Sequence, residues 1–298
     1  MAGSPEDLIK MPDRQAGGSV AASDALSDML RAVRLSGSMQ FCLMPTGDWE
    51  TDSKPRMAAK GGQNSIPFHI LVEGTCWIKI DGQHVDLLPG DVMAFPFGTG
   101  HQLGAGRGGP PITPTADLPP KPWRELPVLR YGEGAQGVRL LCGYLQCDAM
   151  GFPPLRQALP KLIHVRTRGN ADTGWLRATI EQIVSEVDRP RAGGISALER
   201  LTEMMFIELL RQQIIAARPD SIGWLVALGD AALGRCLALI HQEPQREWTV
   251  QSLAKAAGVS RSILAERFEA VLETSPMRYL RDWRLCLASV ALTTTSRT

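Results

Sequence analysis

The hydrophobic period of the chain changes at residue 147, and that change limits what it can fold into. Between about 37 and 147, apolar residues come in short β-type runs: Met39–Leu43, Phe68–Val72, Cys76–Ile80, Val85–Leu87, Val92–Phe95 and Val138–Leu145. Turn residues separate them at the spacing of an all-β barrel or sandwich. Asp81-Gly82, between two of the runs, predicts a tight hairpin. The Gly- and Pro-rich stretch Gly104–Pro122 is expected to be a long surface loop without ordered secondary structure. After Cys147 the period becomes about 3.6, which predicts a helical region.

A length of 298 residues leaves room for about two domains at roughly 150 residues each. A net charge of +1, with 44% apolar and 21% charged residues, excludes a disordered polyelectrolyte and a wholly basic nucleic-acid coat. No apolar run reaches the roughly 18 residues of a membrane span, and Met1–Asp13 carries acids and prolines where a signal peptide needs a cationic start and an apolar stretch. Six cysteines are too dilute for a disulfide scaffold and suit a reducing compartment, so the expected address is cytoplasmic, with no membrane partner. Residues 1–25, rich in Gly, Ala, Ser and Asp, read as a disordered arm.

In the helical region, Trp175, Ile180, Ile183, Val184 and Val187 can line one face, and Leu198, Leu201, Met205, Leu209 and Ile214 another. The breaker Arg189–Gly194 between them predicts an antiparallel pair. Its apolar stripes suit either helices that cover the barrel or a homodimer surface. Arg218-Pro219-Asp220 marks the next boundary.

The stretch from Leu228 to Leu292 carries the most information. A helix over about Asp230–Gln242 ends before Pro244, and Thr249 is placed to cap a second helix. Gly258 supplies the turn after it, and Ser260 caps a third helix in which Leu264, Phe268, Val271 and Leu272 share a face. Two short helices around a glycine turn form a helix-turn-helix. With Leu264 and Phe268 inward, Ser262, Ala265 and Glu266 point outward, where early residues of such a helix can reach base edges in the major groove of double-stranded DNA. Arg261, Arg267 and Arg278 are better placed to meet phosphates. Nine Lys/Arg against seven Asp/Glu from residue 228 onward say little by charge alone.

Trp248-Thr249-Val250, Leu253-Ala254, Ala257–Ser262, Phe268, Ser275-Pro276, Tyr279-Leu280 and Trp283-Arg284-Leu285 resemble the first half of the AraC-type DNA-binding domain. The resemblance places Ser262, Ala265 and Glu266 on a recognition helix and Trp283-Arg284 on a long connecting helix. A full domain of that family continues into a second helix-turn-helix, whereas this sequence reads Thr293–Thr298, so the expectation is a truncated unit.

In the β region, Glu73-Gly74, Pro89-Gly90-Asp91 and Pro96-Phe97-Gly98 followed by His101 resemble a cupin barrel of the kind found ahead of AraC-type domains. The metal-binding cupin pattern has a His-x-His pair and a glutamate where this chain reads Pro67-Phe68-His69-Ile70, so the usual 3-His/1-Glu site is not expected. His69, His101, Cys142 and Cys147 are a donor set that suits tetrahedral zinc. Convergence requires the strand to end or bulge near Cys147, because Cys-x4-Cys puts the sulfurs on opposite strand faces. Two other readings remain open: buried unligated thiols with a core histidine, and a reversible Cys142/Cys147 dithiol/disulfide pair. Cys236 and Cys286 fall on apolar helix faces.

The expected fold is α+β and multidomain: an arm over 1–25, a cupin-like sensor barrel over 26–165, a helical linker or dimerisation pair over 166–220, and an all-α helix-turn-helix unit over 221–298. The expected function is a DNA-binding transcription regulator responsive to a small-molecule effector, a metal or an oxidant. The alternatives are a metal-dependent cupin enzyme and a truncated regulator that dimerises without binding an operator.

Overall fold

In a computed structural model the structure describes residues 24–51, 64–133, 137–216 and 222–295. The expected arm lies outside these residues except at Asp24, which caps helix α1 (Ala25–Ala32) by accepting from the Ser27 amide, and at Ala25 itself. The boundary expected at Arg218–Asp220 also lies outside them.

Eleven strands follow in the described residues: β1 (Leu35–Pro45), β2 (Trp49–Thr51), β3 (Ser65–Glu73), β4 (Cys76–Ile80), β5 (Gln83–Leu87), β6 (Asp91–Ala94), β7 (Gln102–Ala105), β8 (Pro111–Ile112), β9 (Val128–Tyr131), β10 (Arg139–Cys147) and β11 (Ile163–Arg166). They form a six-stranded sheet, β11-β6-β3-β10-β1-β9, and a five-stranded sheet, β5-β4-β7-β2-β8. Asp81 and Gly82 both take positive φ, 49° and 78°, and close the β4–β5 hairpin as the sequence predicts. The stretch expected to be loop from Gly104 to Pro122 is not all loop, because Gly104 and Ala105 end β7 and Pro111-Ile112 pair with Glu50-Thr51.

Period-2 alternation sorts the six-stranded sheet into two faces. Leu71, Leu140 and Cys142 turn inward with Phe41 and Leu43, while Phe68, Ile70, Leu141, Leu145 and Cys147 turn outward. A register shift between Met39 and Phe41 lets β1 keep both residues on their proper sides.

The outward face is covered by helices α2 (Pro153–Ala158), α3 (Gly174–Asp188) and α4 (Gly194–Ala216). Helix α4 lies directly on β1, where a Cβ at Gly37 would fall 2.6 Å from Thr202 Cβ. The helical pair therefore covers the sheet with Ile183, Met205, Phe206 and Leu209. Trp175 departs from the expected inner stripe: it is 60% exposed, and Leu176 is buried instead.

Helices α5 (Trp224–Gly229), α6 (Ala231–Gln242), α7 (Val250–Ala257), α8 (Arg261–Leu272) and α9 (Pro276–Thr295) complete the described chain. Their apolar side chains join the core that begins on the outer sheet face. No helix among the described residues is long and apolar enough to cross a membrane.

Candidate nucleic-acid interface and sensor site

The helix-turn-helix is set by local chemistry. Thr249 and Ser252 form a reciprocal capping box at the start of α7. Gly258 ends that helix at φ 73°, ψ 30°, a left-handed conformation that glycine takes without a Cβ clash. Arg235 of α6 donates from Nε and Nη2 to the Ala257 carbonyl at 3.2 and 2.8 Å, which ties the turn to the helix beneath it. Ser260 accepts from the Ile263 amide at 3.2 Å and opens α8.

Within α8, Leu264 and Phe268 are fully buried, while Arg261, Ser262, Ala265 and Glu266 are exposed along one flank. Arg278, at the start of α9, is exposed as well. Arg267, expected to meet phosphate, places its Nη1 3.0 and 2.8 Å from the two carboxylate oxygens of Asp230, the N-cap of α6.

The barrel holds a second polar constellation. Cross-strand register aligns Phe41, Cys142, His69 and Met93 in one row across the six-stranded sheet, so Cys142 and His69 enter the barrel side by side. His69 Nδ1 lies 3.0 Å from Cys142 Sγ, its Nε2 lies 2.8 Å from His101 Nε2, and His101 Nδ1 lies 2.9 Å from the Thr99 carbonyl. Phe95 stacks on the His101 ring at 3.7 Å between centroids and 3° between planes.

The carbonyl can only accept, and this assigns every proton in the line. His101 Nδ1–H donates to Thr99, so His101 Nε2 accepts from His69 Nε2–H, and His69 Nδ1 accepts from the Cys142 thiol. Burial supports the neutral forms: it pushes His69 well below its ordinary range, His101 down to about 4 and the Cys142 thiol well up.

This line corrects the expected zinc set. Cys147 sits five residues from Cys142 on an extended strand, about 16 Å along it at roughly 3.3 Å per residue, and on the opposite face. The two nitrogens of His69 face different partners, so the remaining three donors form a row rather than converging. Among the described residues no group of three or more His, Cys, Asp or Glu side chains is arranged to hold a metal ion. The same separation removes the Cys142/Cys147 disulfide, which needs Cα atoms within about 7 Å. Both thiols are free and buried, and burial pushes Cys147 up to about 12.

Sequence reasoning also missed a buried line between the two halves of the chain. Trp224 Nε1–H donates to Tyr279 Oη at 2.7 Å, Tyr279 lies 2.8 Å from His241 Nε2, and His241 Nδ1 lies 3.1 Å from the Ala25 carbonyl. Trp283 stacks on His241, and Phe152 meets Tyr279 and Trp283 edge-on. The carbonyl again sets the direction: His241 donates through Nδ1 and accepts from the Tyr279 hydroxyl. No signal in the sequence pairs residue 241 with residue 25.

A family model described as Cupin matches residues 24–214. The chain is 30% identical over 271 residues to a putative AraC-like transcription regulator of Streptomyces lividans, covering 89% of this chain and 84% of that protein. It is 29% identical over 287 residues to the HTH-type transcriptional regulator AlkR of Acinetobacter baylyi, covering 91% and 87%. It is 26% identical over 273 residues to an HTH-type transcriptional regulator of Haemophilus influenzae, covering 90% and 85%. The crystal structure of the AraC-like transcriptional activator CuxR overlays with a TM-score of 0.31 at 13% identity, covering 86% of this chain and 77% of that one.

Proposed function

The chain belongs to the AraC-like family of transcription regulators and carries a cupin domain over residues 24–214, and from that premise we propose that α8 is the element that enters the DNA major groove. Ser262, Ala265 and Glu266 meet base edges, with Glu266 suited to accept from a cytosine amino group and Ala265 to touch a thymine methyl. Arg261 and Arg278 meet phosphates. The observation that carries this reading is the uncovered flank of α8: its inner residues are fully buried, and these outer side chains are exposed with no described element across them.

The barrel is a sensor and not a catalytic centre in this reading. Support comes from the His69 ring, whose two nitrogens are both engaged, so an open coordination position with three convergent donors is not built from it. We place the protein in the cytoplasm as a homodimer. The outward sides of α3 and α4, where Trp175, Ile195, Met204 and Ile215 are exposed, support the helical pair as the contact between copies.

Duplex binding followed by fluorescence anisotropy across a salt series tests the DNA reading. Phosphate contacts predict affinity that falls steeply with rising salt and recovers on dilution. Weak binding that ignores salt would sink it.

A further inference from the structure

A cleft of about 550 Å³ opens at the edge of the barrel, where the end of β3, the Pro89-Gly90 turn and the residues after β11 face α3. That volume falls within the range of small-molecule sites. Its apolar lining includes Val72, Ile180 and Val184. Around it stand Arg168, Arg177 and Arg189, all exposed. Among the described residues none of the three has a carboxylate within ion-pair distance.

Two carboxylates share the lining, and they differ. Asp188 is bound by Arg139 of β10, whose guanidinium also lies 3.4 Å from Glu73, so one cation answers two carboxylates there. With Glu181 and that shared group counted, Arg168, Arg177 and Arg189 still leave an excess of one positive charge. The field in the cleft therefore favours an anion.

Both walls are held before any ligand arrives. Gly90 N–H donates to the Leu71 carbonyl at 2.7 Å, and Thr167 Oγ1 donates to the Gly90 carbonyl at 3.0 Å. Gly90 has φ +93°, and a Cβ there would lie 2.5 Å from Thr167 Oγ1, so the turn is closed against its neighbour. On the other side, the Arg139–Asp188 pair pins the C-terminal end of α3 to the sheet. A site fixed in this way loses little conformational freedom on binding.

We infer that this cleft binds a small organic acid, with its carboxylate among Arg168, Arg177 and Arg189 and its apolar body over Ile180 and Val184. An inorganic anion leaves the apolar lining wet, and a neutral apolar molecule leaves the guanidinia unpaired. Because the cleft lies between barrel and α3, an occupied cleft ties the sensor to the helical region. That regulatory consequence rests on the DNA-binding reading above, whereas the binding itself does not.

Isothermal titration of the full chain with 4-phenylbutyrate, 4-phenylbutan-1-ol, 4-phenylbutylamine and inorganic phosphate tests the site. The acid is expected to bind about tenfold or more tightly than the alcohol, with amine and phosphate weaker still. The double variant Arg168→Gln/Arg177→Gln should lose the preference for the acid while its thermal midpoint stays put; if the midpoint falls, the single variant Arg189→Gln decides. Equal binding of acid and alcohol, phosphate binding as tightly as the acid, or undiminished acid binding in the variants overturns the inference. Duplex affinity of the unliganded chain is measured alongside. Failure to bind the acid with duplex binding intact counts against the cleft alone, and the converse counts against the DNA reading alone.

Discussion

Asp230 serves two helices with one carboxylate: Oδ1 accepts from the Ala232 and Leu233 amides at 2.8 and 2.9 Å, and both oxygens receive Arg267 Nη1 from α8. The group that starts α6 thereby sets the position of α8 against it. Arg267, read from periodicity as a phosphate contact, is engaged here as a fastener between the two helices.

Asp230→Ala is therefore expected to cost about 1 kcal/mol in urea unfolding, the usual loss for an N-cap. Burial raises the carboxyl of Asp230, but the Leu233 and Ala232 amides and Arg267 outweigh it and hold the group below its ordinary value. A depressed carboxylate contributes stability above its unfolded pKa of about 3.9 and loses it as pH falls through the lower folded value. Asp230→Asn should flatten that part of the acid limb, and an unchanged limb would refute the assignment.

Contacts that read bases and contacts that position the chain separate under mutation. Glu266→Ala is expected to relax preference at one base pair, shifting discrimination there by about 1–3 kcal/mol. Arg261→Ala should weaken all duplexes alike and reduce the salt slope by about 1. Affinity measured over single-base operator variants at several salt concentrations distinguishes the two patterns.

Burial pushes His241 down to about 4, with its bond to the Ala25 carbonyl opposing the shift. The unfolded chain takes up a proton near pH 6.5, about the ordinary histidine value, while the folded chain waits until about 4. Stability is thus fully present above the unfolded value and is lost as pH falls across that window. His241→Phe should be less stable at neutral pH, by about 1–3 kcal/mol for the unpaired groups it leaves, yet should lose less than the parent between pH 7 and pH 4.5. Equal losses in both proteins would remove His241 from the acid response.

Cys142→Ser preserves a donor to His69, whereas Cys142→Ala leaves a buried ring nitrogen without one. The alanine variant is expected to be less stable than the serine variant by about 1–3 kcal/mol. The reverse order in denaturant midpoints would argue against the proton assignment along the line.

Legibility in the sequence followed the range of the interaction. Thr249, Gly258, Ser260, Leu264 and Phe268 act through neighbours a few residues away, and both helices of the helix-turn-helix could be read from them. Strand β4 runs from Cys76 to Ile80, the very residues of the apolar run. Strands β2, β7 and β8 are too short to show alternation and exist through pairing at a distance, with Trp49 opposite Ala105 and Glu50 opposite Pro111. Gly104 reads as a loop residue but lies in β7 through pairing with Trp77 and Glu50, and the Trp77 ring, 2.3 Å from where a Cβ would fall, requires glycine there. In the barrel, His69, His101 and Cys142 lie in one line, while ordinary strand alternation sends Cys147 to the other core. The rim arginines Arg168, Arg177 and Arg189 carry no local pattern at all; only the approach of α3 to the barrel gathers them.

The last acceptor in the buried line from Trp224 is a main-chain oxygen at Ala25. Substitution at that position leaves the oxygen in place, so the link tolerates any residue small enough for the space. The residue beside it has less latitude, since His241 must donate to that oxygen on one side and accept from Tyr279 on the other. Divergence among related chains should thus be lopsided, with drift allowed on the first helix and a fixed histidine answering it.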